Sequence, residues 1–134
     1  MNIGGIIMFE SSHAYSGFSV DDLAVAKTFY SDTLGLNVTE QHGMLNITLA
    51  GGGVILVYPK GPAHEPASYT ILNFPVGDID AAVDELIDKG ISIEHYENSY
   101  QDEKGIARGK AAGQGPDIAW FKDPAGNILS VLSE

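Results

Sequence analysis

The chain has 134 residues, 44% hydrophobic and 19% charged, a composition that fits one globular domain and excludes a disordered or fibrous chain. Seven Lys and Arg against 18 Asp and Glu leave a formal charge of -11, which repels phosphate backbones and anionic lipid, so neither nucleic acid nor membrane is an expected partner. Cysteine is absent, which removes disulfides and thiolate chemistry and makes the cytoplasm the expected location.

In chain order, IIMF near the N-terminus is too short to span a membrane and lacks the basic flank of a signal peptide. Residues 1–12 receive no assigned role. Ser16 to Val20 reads as a strand, and Asp22 is placed to cap a helix whose buried stripe is Leu23, Ala26, Tyr30 and Leu34. Gly35 ends that helix, LNVTE continues as extended chain, and MLNITLA and VILVYP form a hairpin around Gly51, Gly52 and Gly53.

The pattern is then written again. Phe18, Val20, Asp22 and Ala26 recur as Phe74, Val76, Asp78 and Ala82, each 56 positions later, and Gly35 recurs as Gly90 after a one-residue deletion. Ile71 to Val76 is the second first strand, and Ile79, Ala82, Val83 and Leu86 are the buried stripe of the second helix. ISIEHY is the following extended segment, and DIAWF and NILSVL form a hairpin around Asp123, Pro124, Ala125 and Gly126. The expected architecture is α+β: a single domain over 1–134, with βαβββ modules at 14–60 and 68–134 joined by a linker at 61–67. The curved mixed sheets surround a cleft, and the helices lie on the outer face.

Tyr96 to Pro116 has four glycines, mixed charge and no periodicity, so it reads as a lid, a binding loop or a disordered stretch. Arg108 and Lys110 are cations able to pair with an anionic ligand, or else plain solvated charge. GIARGKA is not a phosphate loop, because three residues rather than four separate Gly105 from Gly109 and Ala111 stands where Ser or Thr is required. Trp120 is placed either to stack on a planar ligand or to anchor the core. Asp22 and Asp78 read as caps and Asp123 as a turn residue.

With VxDL, FYxxxLG and DPxGN in that order, FSVDDLAVAKTFYSDTLGL at the front and WFKDPAGNILSV at the back, the chain resembles the vicinal oxygen chelate superfamily from about Tyr15 onward. That superfamily includes glyoxalase I, extradiol dioxygenases, fosfomycin-resistance enzymes and bleomycin-resistance proteins. The resemblance implies paired βαβββ modules, frequent homodimers, and a ligand site inside the sheet cup. In metal-dependent members it also implies a His five residues before the Val of each first strand and a Glu four residues after the Gly of each final hairpin. Those positions hold Tyr15, Ile71, Val57 and Ser130, and none is a first-choice metal donor. His13 shares a strand face with Tyr15 by alternation, but His42, His64 and His95 have no spacing that supplies it with partners.

The leading expectation is therefore a homodimeric, metal-independent protein that binds a small amphipathic or aromatic molecule, with no cofactor. Its candidate pocket residues are His13, Tyr15, Val57, Ile71, Arg108, Trp120 and Ser130. The alternative is a lyase, isomerase or dioxygenase using a divalent metal on displaced ligands near His13, or acid/base work by Tyr15. A structural or regulatory dimer is the third reading.

Overall fold

The computed structural model describes residues 7–97 and 99–134. Its first module runs β1 (Ser16–Val20), α1 (Leu23–Thr28), β2 (Asn37–Gln41), β3 (Met44–Thr48) and β4 (Val54–Pro59). Asp22 is the cap expected of it: its carboxylate accepts the Val25 N–H at 3.2 Å. Helix α1 widens into one π-type turn over Phe29–Thr33, and Gly35 then takes φ 72, a left-handed value that glycine tolerates without strain.

The second module repeats this with β5 (Thr70–Pro75), α2 (Ile79–Asp88), β6 (Ala107–Arg108), β7 (Asp117–Lys122) and β8 (Ile128–Ser133). Asp78 caps α2 by accepting the Ala81 N–H at 3.0 Å. Both sheets have four strands in the same order, β1-β4-β3-β2 and β5-β8-β7-β6, with first and last strands parallel and the other pairs antiparallel. These are tandem βαβββ modules in two mixed sheets, as the duplication implied. One segment differs. ISIEHY pairs only at Ile93, in an isolated bridge to Phe121, and the fourth strand of the second sheet is β6, inside the segment that had no periodicity. A strand of two residues is too short to show alternation.

Each helix lies on one face of its own sheet, and the covered faces share one apolar cluster. Val20, Tyr30, Leu45, Ile47 and Val57 come from the first module, and Val83, Leu86, Phe121, Leu129 and Val131 from the second. Each such side chain contributes about 1.5–3 kcal/mol when fully buried. Polar bonds cross the seam as well: Tyr30 Oη donates to Asp123 Oδ2 at 2.6 Å, and Asn127 Nδ2 donates to the Ser19 carbonyl at 2.9 Å. The linker is fastened by His64, whose Nδ1 is 2.8 Å from Ser19 Oγ and whose Nε2 is 2.9 Å from the Ala125 carbonyl. A carbonyl only accepts, so Nε2 carries the hydrogen and Nδ1 accepts from the serine hydroxyl. Among the described residues no helix is long and apolar enough to cross a membrane.

Candidate functional site

The face of each sheet not covered by its helix follows from register. Phe18 pairs with Val57, and the Phe18 ring lies 5.7 Å from that of Tyr30, so this pair is on the helix side. The opposite face carries Gly17 and Leu56, and a Cβ built on Gly17 would sit 3.6 Å from the Leu56 Cβ. In the second sheet Phe74 with Val131 and Phe121 with Leu129 face α2. Asn73, Ser130, Trp120 and Ile118 occupy the other, open face.

These assignments divide the expected site residues. Ser130 does lie on the open face, although fully buried there, and its hydroxyl donates to Asn73 Oδ1 at 2.6 Å. Trp120 sits opposite Ser130 in register and packs edge-on against Tyr96 at 5.6 Å, so neighbouring side chains flank Ser130 on both sides. Tyr15 and His13 lie just before β1 and are exposed, Tyr15 by 66%. Ile71 falls at the register shift between Thr70 and Leu72 and is half-buried. Val57 is a correction: it is 0% exposed in the shared core, and Leu56 is the β4 residue presented to the open face. The count from Gly53 lands one position off the face because a single residue reverses side-chain direction in a strand.

Arg108 lies in the lining of the cavity described below, but its guanidinium is already paired: Nη1 and Nη2 form a two-point pair with Asp80 at 3.0 and 2.9 Å and Nε donates to Asp102 at 2.9 Å. Lys104 joins the same cluster, reaching Asp80 at 3.1 Å and Asp84 at 2.9 Å. The bonds from Arg108, then Lys104, hold the Asp80 carboxyl far below the usual carboxylate range. Burial pushes Asp102 upward, but the Ile106 N–H and Arg108 outweigh it and the net shift is downward.

These pairs give order to the segment that sequence left between lid and disorder. Asp102 Oδ1 accepts the N–H groups of Lys104 and Ile106, each at 2.9 Å, and the Gln101 amide donates to the carbonyls of Glu94 and Gly105 at 2.7 and 2.6 Å. Gly109 permits a close crossing, since a Cβ there would lie 2.5 Å from the Pro116 carbonyl oxygen. The segment thus forms a wall beside β7. Between the two is a cavity of about 570 Å³, open on one side and lined chiefly by Tyr100, Ala107, Arg108, Ala112, Gln114, Pro116 and Ile118. That volume is in the range of sites for small organic ligands.

The chemistry of the donor set is poor for a divalent metal. The open faces present Gly17, Ser19, Leu56, Asn73, Trp120 and Ser130 near the positions in question, with no imidazole or carboxylate among them. Among the described residues, no three of His, Cys, Asp and Glu come together as a possible metal site. The residues present do not fit the metal that the superfamily resemblance raises. Sequence reasoning missed most of the cavity lining. Alternation along DIAWF would have placed Ile118 beside Trp120, but Tyr100, Gln114 and Pro116 reach the site only through the loop's tertiary course.

Two βαβββ modules, each with one helix-covered and one open sheet face, define the class. The sequence matches the family model for the Glyoxalase/Bleomycin resistance protein/Dioxygenase superfamily over residues 12–131, and the chain belongs to that superfamily. No curated protein matches it. Solved structures with the same fold include the oxidase ChaP-H2, with TM-score 0.68 and 20% identity over 92% of this chain and 94% of that one. TnmS3, an antibiotic binding protein from Streptomyces sp. CB03234, has TM-score 0.63 and 22% identity over 91% of this chain and 95% of that one. The fosfomycin resistance protein FosX from Mesorhizobium loti has TM-score 0.61 and 12% identity, with 92% of each chain covered. An oxidase, a binding protein and a resistance protein share this scaffold, so the fold leaves the chemistry to the site.

Proposed function

We propose that this chain is a metal-independent binding protein that holds a small, mainly apolar organic molecule between the 99–116 wall and the open face of the second sheet. The observation that carries the reading is the cavity itself: about 570 Å³, apolar along Ala107, Ala112, Pro116 and Ile118, with Tyr100 and Gln114 as polar groups to orient a ligand. The donor-poor residues at or beside the expected ligand positions, Tyr15, Leu56, Ile71 and Ser130, support binding over metal chemistry. TnmS3, of the same fold, is an antibiotic binding protein, and that precedent is consistent with a binding role here.

Nitrogen-edited NMR spectra during a screen of small aromatic compounds test the reading. The expected result is a set of dose-dependent shifts confined to Ala107, Gly109, Ala112 and Ile118. Shifts that avoid those amides, or no hits from a screen of ordinary breadth, overturn it.

A further inference from the structure

Resting on that reading, we infer that the cavity selects an uncharged aromatic ligand and rejects its anionic congeners. One cation, Arg108, is in the cavity lining, and its guanidinium is already paired with Asp80 and Asp102. Ala107 pairs with Ile118, and both side chains stand on the open face that forms the cavity wall. Arg108 pairs with Asp117 and so points the other way, to the helix side, where Asp80 on α2 takes its guanidinium. Arg108 therefore lines the cavity with its charge offset by Asp80 and Asp102.

Apart from Arg108, the polar residues that line it are uncharged: Ser99, Tyr100 and Gln114. Ser99 is already committed, its hydroxyl donating to the Tyr96 carbonyl at 2.6 Å. Tyr100, 89% exposed, presents a ring at the mouth. Lys110 is exposed and outside the lining; its backbone N–H donates to Asp117 Oδ1 at 3.1 Å and its carbonyl accepts the Gly113 N–H at 3.1 Å. A carboxylate or phosphate entering this space would lose hydration and meet a cation, Arg108, already paired with two carboxylates, and the chain's charge of -11 opposes its approach. A flat neutral ring loses nothing comparable and gains the apolar wall, with Tyr100 for an edge or stacking contact.

Fluorescence titration with two compounds on one ring system, 9-anthracenemethanol and 9-anthracenecarboxylate, at low ionic strength, tests the inference. The alcohol is expected to bind and the carboxylate to bind at least roughly tenfold more weakly. Gln114→Lys, an exposed change that puts an ammonium at the cavity rim, is expected to bring the carboxylate level with the alcohol or above it, with the thermal melt checking that the variant is folded. A wild-type protein that takes the carboxylate as well as the alcohol overturns the selectivity while leaving the binding role standing. So does a Gln114→Lys protein that is folded but unchanged in preference. If neither compound binds, the binding role falls, and this inference with it.

Discussion

Two neighbours on β4 carry opposite duties. Val57 is enclosed in the core, whereas Leu56 lies on the open face beside Gly17. Val57→Thr keeps the shape and buries a hydroxyl in an apolar setting, and is expected to cost about 1–3 kcal/mol in chemical denaturation. Leu56→Thr is expected to stay within about 1 kcal/mol of the parent. A larger loss at Leu56 than at Val57 would mean the two faces have been assigned the wrong way round. The sequence could not make this distinction, because alternation gives the period of a strand and not its phase. The phase is set here by the Phe18–Val57 register and by Tyr30 packing on Phe18.

Tyr30 also gives a physical reason for two of the motifs. The Tyr of FYxxxLG donates to the Asp of DPxGN across the seam. That same Asp123 accepts the Ala125 and Asn127 N–H groups at 2.9 Å each, and Asn127 Nδ2 at 3.0 Å. The motifs that identify the superfamily thus fasten one module to the other and leave the reaction unspecified. Burial, then the Asp123 carboxylate, holds the Tyr30 phenol far above its ordinary range, so it stays a proton donor throughout the physiological range. Tyr30→Phe deprives buried Asp123 of one partner and is expected to cost about 1–3 kcal/mol of stability without changing ligand affinity. Thermal or urea denaturation beside a binding titration checks both halves.

The caps at Asp22 and Asp78, both helices and the two hairpins were readable because each has a local signature. The course of residues 99–116 was not, since its order comes from contacts distant in sequence, chiefly Arg108 to Asp80, 28 positions apart. Those contacts make a pH-dependent prediction. Asp80 has a depressed carboxyl pKa in the folded state, so its contribution is present above the unfolded value of about 3.9 and is lost as pH falls through the folded one. Asp80→Asn is expected to lower the melting temperature at neutral pH and to speed amide exchange at Ala107 and Arg108. The difference from the parent should shrink once the pH drops below about 4. A gap that stays constant into strong acid would show that the Asp80 charge does not hold the wall.

Across the molecule, the duplication correctly announced two modules and two sheets, and the shared core places both helix-covered faces in one cluster. It also leaves aromatic side chains uncovered: of six tyrosines only Tyr30 is enclosed, while Tyr15, Tyr58, Tyr69, Tyr96 and Tyr100 are exposed. Tyr58 shares the open face of the first sheet with Leu56, the kind of aromatic and apolar patch that interfaces enrich. We propose that a second copy covers it. Light scattering after size exclusion is expected to give the mass of two chains, and Tyr58→Glu the mass of one. A monomeric parent at all concentrations contradicts that assembly.

The central claim is that this member of the superfamily binds its ligand without the metal that other members use. It is tested most directly by elemental analysis of protein purified without chelator, followed by titration with Ni, Zn, Mn and Fe(II) while the melting temperature is recorded. The expected result is substoichiometric metal on isolation and an unchanged melting temperature with every ion. One tightly held metal per chain, with thermal stabilisation on its return, would contradict the claim and turn attention to the region around His13.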